Sequence, residues 1–304
     1  MWTPSKLTQA YGMLLLTTLA WAANTVLGRS AVGHISPMLL VCLRWLLVTA
    51  VLAITWRRVL ARDLPVLRER VGFVAALGSL GFAGFNALYY SAAHTTTAVH
   101  MGIIQGAVPA LVVGGASWID GTRISWLRGV GVCCSLVGVA IVATGGEIST
   151  LMQGGIRAGD GYMLLACCLY AGYTVALRRR PAVSALSLMC AMSLSAFLAS
   201  LPLAVAEAML GHSAWPTTHG WFVLSLIVLL PSLLGQVLYI RAVGVLGPGR
   251  AGVFVNLVPI FSSIMAVSLL GEPFDAPHWL GLISVLGGIG LSERAALSIA
   301  RQVR

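Results

Sequence analysis

Charge is scarce in this chain. Asp, Glu, Lys and Arg make up 9% of its 304 residues, where a water-soluble domain carries about 25%. So few charged side chains cannot wet the surface of a body this size, which excludes a freely soluble fold. Acid is scarcest. The nine carboxylates are Asp63, Glu69, Asp120, Glu147, Asp160, Glu207, Glu272, Asp275 and Glu293, and all fall in loops or at the ends of apolar runs. A buried carboxylate is the simplest device for holding a cationic drug or exchanging a proton within a membrane. Its absence from the runs argues against cation/proton antiport of that type. The six cysteines (Cys42, Cys133, Cys134, Cys167, Cys168, Cys190) all lie in apolar runs, without Cys-x-x-Cys or Cys/His spacing. Disulfides and zinc are therefore not expected. No glycine-rich phosphate loop follows a strand-like segment, so nothing indicates an ATP motor. No cofactor, no metal and no catalytic group is expected.

What the chain has instead is long apolar runs. Hydrophobic residues are 58% of the total, and the runs reach or approach the roughly 20 residues that cross a bilayer. Ten are read, numbered spans 1 to 10: about 10–30, 37–56, 71–91, 97–117, 126–145, 159–177, 184–206, 219–240, 251–270 and 277–293. Irregular backbone is not tolerated against lipid, so each run is expected to be a helix. Ala20-Trp21-Ala22 imitates a signal-peptidase site, but its partner Leu169-Tyr170-Ala171 sits mid-chain, so cleavage is not expected.

That partnership belongs to an internal repeat. Gly12–Arg29 aligns with Gly161–Arg178 at a constant offset of 149 residues, through Gly12/Gly161, Ala22/Ala171, Thr25/Thr174 and Arg29/Arg178. Tyr90/Tyr239 and Ala93/Ala242 keep the offset, and Val108-Pro109 meets Val258-Pro259 after one inserted residue. The chain divides into five-span halves, 1–150 and 151–304. Five is odd, so the second half enters the membrane upside down relative to the first. The net charge of +10 would suggest nucleic acid in a soluble protein, but its placement excludes that partner. With the N-terminus inside, sixteen Lys and Arg residues lie on the inner side, only Arg29 and Arg157 lie outside, and Arg44 falls within span 2. That split follows the positive-inside rule and puts both termini in the cytoplasm of a bacterial-type inner membrane.

The second half reads Tyr239-x-x-Ala242, Asn256-Leu257-Val258-Pro259, Leu270-Gly271-Glu272, Trp279-Leu280-Gly281 and Gly287-Gly288. With Arg44-Trp45 in span 2, this resembles the drug/metabolite transporter superfamily in its EamA-type branch, over nearly the whole chain. The first half departs at Asp120-Gly121, which stands where Gly271-Glu272 stands in the second. The resemblance implies ten helices in two inverted five-helix repeats, a central cavity, and export of amino acids or other small metabolites, with aromatic amino acid exporters the nearest guess. The superfamily's short multidrug members rely on a glutamate in their first span. Here that span offers only Asn24 as a polar amide.

Candidate substrate-binding residues follow from polar and aromatic side chains at span depth. In span 3, Phe85/Tyr89 and Asn86/Tyr90 are i,i+4 pairs on one broad face, suited to an aromatic ligand or to packing between helices. Span 4 carries His100, Gln105 and Pro109, and span 9 carries Asn256 and Pro259 in the matching place. Each proline removes one helical hydrogen bond. Interrupted helices in equivalent positions of two halves point to a midplane site, so Pro109 and Pro259 are candidate gating elements or static kinks. Trp21 and Asn24 of span 1 correspond to Tyr170 and Tyr173 of span 6, and Gln236 and Tyr239 form an i,i+3 pair in span 8. Arg44 attracts a substrate carboxylate, bonds backbone carbonyls or snorkels outward; the sequence leaves all three open. Spans 5 and 10, rich in glycine, read as packing or dimer helices.

The expected molecule is an all-α integral membrane transporter, not an enzyme. Its partners are the lipid bilayer and a small-molecule substrate, and it is a monomer or homodimer. The rival readings are a same-fold translocator of drugs, nucleosides or lipid-linked sugars, and a membrane enzyme.

Overall fold

The computed structural model describes residues 4–120, 126–146, 157–246 and 254–302. The division expected at 150/151 lies outside the described residues, as do Gly121, Arg123, Glu147, Arg250 and Arg304.

Among the described residues there is no strand, and all ten expected spans are helical. In the first half these are Pro4–Ser30, Pro37–Thr55, span 3 in the pieces Val71–Gly78, Ser79–Gly84 and Phe85–Ala93, span 4 in the pieces Ala98–Gln105 and Val108–Asp120, and Trp126–Thr144. In the second they are Ala158–Ala176, Ala185–Met209, span 8 in the pieces Thr218–Ile227, Val228–Leu234 and Gly235–Leu246, Val258–Leu270, and Ala276–Gln302. Among the described residues six helices are long and apolar enough to cross a membrane, and three shorter apolar ones join them. This is a multi-pass membrane protein.

Two features go beyond the expected spans. Spans 1 and 10 extend past their apolar runs, to Pro4 and Gln302. A further helix, Arg57–Glu69, links spans 2 and 3. It is amphipathic: Leu60 and Leu67 pack on the core, while Arg57, Arg58, Arg62 and Arg68 are exposed.

Helix starts are held by carboxylates from elsewhere in the chain. The first amides of a helix have no internal acceptor and sit at the positive end of its dipole. Glu207 accepts from the amides of Met38 and Leu39 at span 2 (3.2 and 3.1 Å). Glu272 accepts from those of Ala98 and Val99 at span 4 (2.9 and 2.8 Å), and Asp63 from that of Ser184 at span 7 (2.9 Å). The Leu270-Gly271-Glu272 motif thereby gains a physical reading. Gly271 ends span 9 with a left-handed φ of 65°, a conformation that favours glycine, and so turns Glu272 toward span 4.

The halves interlock. Span 1 packs against spans 8 and 9, and span 6, its repeat partner, packs against spans 3 and 4. Spans 2 and 7, 4 and 9, and 5 and 10 meet as like pairs. The main contacts across the halves thus have repeat counterparts, as an inverted duplication requires. Spans 5 and 10 cross at backbone distance. A Cβ on Gly138 would stand 2.6 Å from the Gly281 carbonyl oxygen, and one on Gly288 2.4 Å from that of Gly131. The small-residue faces of these helices are used on each other. The pairs 2/7 and 5/10 flank a centre built from spans 1, 3, 4, 6, 8 and 9.

Candidate functional site

Four of the central helices are irregular, in two repeat-related pairs. Span 4 breaks at Gly106-Ala107 and span 9 at Asn256-Leu257, each just before its proline. Gly106 and Ala107 donate three residues back, to Ile103 and Ile104 (3.0 and 2.9 Å), in place of the regular helical bonds. Spans 3 and 8 each contain a π-helical turn, at Ser79–Gly84 and Val228–Leu234. Their starts, 79 and 228, keep the repeat offset. Pro231 lacks the donor needed inside span 8, and Ser232 Oγ donates five residues back to the Ile227 carbonyl at 2.8 Å. In span 3 the turn lies where another helix approaches closely: a Cβ on Gly81 would meet the Tyr173 ring at 2.5 Å. Such turns recur at functional sites.

These irregular stretches surround a vestibule with two lobes. The narrow lobe, about 130 Å³, is walled by Trp21, Asn24, Arg44, Trp45, Phe85, Asn86, Gln105, Tyr170, Gln236 and Asn256 among others. The wide lobe, about 420 Å³, adds Tyr173, Thr174, Leu177, Arg180 and Tyr239. Both share Trp21, Phe82, Tyr170, Gln236, Asn256 and Pro109, so they form one continuous space. The wide lobe reaches the exposed Arg180. That end also carries Asp63 of the basic linking helix, bonded to Ser184.

The wall is a run of aromatic rings. Trp45 stacks on Phe82 (4.6 Å between centroids, 10° between planes), Phe82 meets Tyr173 (5.5 Å), Tyr173 meets Tyr170 (5.4 Å), and Tyr170 meets Phe85 (5.2 Å). Opposite, Trp21 lies 5.2 Å from Tyr239 and donates from Nε1 to the Pro231 carbonyl at 3.2 Å, an acceptor inside the span 8 π-turn. Offset and tilted pairs at these distances are favourable beyond the area they bury.

One polar knot closes the narrow end. Arg44 is 6% exposed. Its Nε donates to Ser232 Oγ (3.0 Å), and its Nη1 donates to Asn86 Oδ1 (2.8 Å), Tyr90 OH (2.5 Å) and, at longer range, Asn24 Oδ1 (3.4 Å). The Tyr90 hydroxyl donates to Asn24 Oδ1 at 3.1 Å, and Asn86 Nδ2 to the Phe82 carbonyl at 2.7 Å. The guanidinium carbon stands 4.9 Å from the Trp45 ring centre. Of the three roles the sequence left open for Arg44, bonding to backbone carbonyls is not seen among the described residues, where its partners are all side chains, and burial rules out snorkelling.

Most of the sequence candidates meet at this vestibule: Trp21, Asn24, Phe85, Asn86, Gln105, Tyr170, Tyr173, Gln236, Tyr239 and Asn256, with Pro109 and Pro259 at its elbows. Three do not line it. Tyr90 reaches it only through its bonds with Arg44 and Asn24. Tyr89 is 1% exposed, and its hydroxyl has no partner among the described residues. His100 faces away: its Nδ1 lies 3.1 and 3.2 Å from the two oxygens of Asp160 at the start of span 6, and Thr96 donates to the same carboxylate. The Asp160 side chain is 2% exposed, so this pair ties span 4 to span 6 in a buried setting. Arg44, for which the sequence left a carboxylate-binding role open beside two structural ones, stands in the wall together with Trp45, which the sequence did not offer. An arginine alone at span depth was the one signal that pointed there.

Inverted five-helix halves, helices broken in equivalent positions and a vestibule between them are the arrangement of a membrane transporter. The chain belongs to the EamA-like transporter family, which it matches over residues 8–144 and again over 157–293. It is 26% identical over 284 residues to the uncharacterized transporter YetK of Bacillus subtilis (strain 168), covering 92% of this chain and 85% of that one. It is 25% identical over 288 residues to the uncharacterized transporter YyaM of the same organism, covering 92% of each. A protein of known crystal structure shares the fold over 98% of this chain and 99% of its own, with a TM-score of 0.62 at 20% identity.

Proposed function

We propose that this protein exports amino acids, aromatic or otherwise neutral, across a bacterial-type inner membrane by alternating access. The observation that carries this reading is the aromatic vestibule enclosed between the interlocked halves. An aromatic or aliphatic side chain buries well among Trp21, Tyr170, Phe85 and Tyr239, while Gln105, Gln236 and Asn256 offer amides for polar groups. The wide lobe reaches the end of the molecule rich in Arg. By the positive-inside rule that end faces the cytoplasm, which supports both termini lying inside and an inward-facing state ready to load. The elbows at Pro109 and Pro259 are where the helices bend to alternate access. A change of this kind needs two states a few kcal/mol apart, each favoured by different contacts.

Reconstitution into liposomes with a panel of radiolabelled amino acids, with and without a pH gradient, tests the proposal. The expected outcome is saturable movement of neutral or aromatic members, reduced at least about tenfold by Gln236→Ala or Trp21→Ala in protein that still elutes as one species. Wild-type movement by both variants removes these residues from the route. No movement of any amino acid removes the substrate class.

A further inference from the structure

The closed end of the vestibule holds a cation with no anion. All four side chains bonded to Arg44 are neutral: Ser232, Asn24, Asn86 and Tyr90. Among the described residues no carboxylate pairs with it, and its four side-chain hydrogen bonds leave from Nε and Nη1. A guanidinium has five N–H donors in a planar fork. Neutral oxygens satisfy some of them in direction, but they leave a full unit of charge in a region of low dielectric. In the wall of the same lobe, Gln105 Oε1 is buried with no donor facing it. A cation without a counter-charge therefore borders one small space whose walls are largely aromatic.

We infer that Arg44 is the specificity-determining residue of this transporter, and that it takes the carboxylate of a small organic acid with an apolar body. The carboxylate supplies the charge that the protein withholds, through Nη2. Asn24, Asn86 and Ser232 serve Arg44 by fixing its orientation. This inference rests on the vestibule being the transport site, and it narrows what passes. Amines, sugars and neutral nucleosides lack the group that Arg44 awaits.

Four probes of one shape test it: phenylalanine, 3-phenylpropionate, phenylalanine amide and phenethylamine. Each is assayed for protection of the purified wild-type protein against thermal unfolding, and for competition in proteoliposomes. Both carboxylates are expected to act, and the amide and the amine to be roughly 10- to 100-fold weaker, the range set by hydrogen bonds to a charged group. Arg44→Lys keeps the preference at reduced affinity, and Arg44→Gln abolishes it. The wild-type comparison stands even if Arg44→Gln fails to fold. Equal response to acid and amide, including no response to either, overturns the inference. The two readings fail separately. Action of phenylpropionate without phenylalanine sinks the amino acid substrate and leaves Arg44 in place. An amine or amide that competes as well as the acids, and is blocked by Trp21→Ala, sinks the role of Arg44 and leaves the vestibule.

Discussion

Asp63 and Glu272 show how a chain this poor in acid uses the little it has. Each satisfies the start of a helix distant in sequence. Glu272→Gln keeps an acceptor but removes the charge from the positive end of span 4; the expected loss is about 1 kcal/mol, read from thermal unfolding in detergent. The amide of Ser184, helped by the Ser187 hydroxyl, holds the Asp63 carboxyl at about 2, below its ordinary 3.8. A folded value below the unfolded one means the charged form favours folding. That stability is complete above pH 3.8 and fades as the pH falls toward 2. Asp63→Asn is expected to flatten this acid limb of the unfolding profile, and an unchanged limb would contradict it. Neither partnership is visible locally in sequence, because the two ends of each bond lie far apart along the chain. The same holds for Arg44. Its depth in span 2 marked it as unusual, but its partners come from positions 24, 86, 90 and 232, which only the fold brings together. His100 looked equivalent to Gln105 as a polar residue of span 4, yet they lie five residues apart and face different neighbours.

Among the elements, the ten helices and the breaks in spans 4 and 9 were legible, because apolar length and proline are local signals. The π-turns were not. Pro231 hints at one, but the turn in span 3 arises where Gly81 yields to Tyr173, a contact without a local pattern. The helix Arg57–Glu69 was hidden by its charge, although Leu60, Asp63 and Leu67 mark its buried stripe at helical spacing. If the breaks serve movement, restoring the missing donor opposes it. Pro109→Ala combined with Pro259→Ala is expected to raise the unfolding temperature and slow transport, and faster transport would reverse the assignment. At the crossing of spans 5 and 10 there is no room for a methyl group. Gly138→Ala is expected to destabilise by about 1–3 kcal/mol, the usual range for an overpacked interior, as measured by thermal unfolding beside a lipid-facing control, Gly129→Ala, whose added Cβ meets nothing within 4 Å.

At the scale of the whole molecule, duplication was legible from the offset and the inversion from the odd number of spans in each half. What periodicity cannot reveal is which helix lies beside which. The two halves are not separate bodies, because span 1 sits among spans 8 and 9 while span 6 sits among spans 3 and 4. Any alternation of access therefore shears helices that come from both halves. Membrane-impermeant labelling of cysteines placed at the two termini is expected to report the same face for both. A cysteine at Leu177 is expected to react from that face and to be shielded by substrate.

The exchanged helices also bear on how such a chain arose. A solitary five-helix ancestor would have lacked the rod that fills its middle, and it would have presented an open slot to lipid. To be complete it would have needed a second, inverted copy, each lending a helix to the other. The covalent link between the halves frees this chain from that dependence on two orientations meeting.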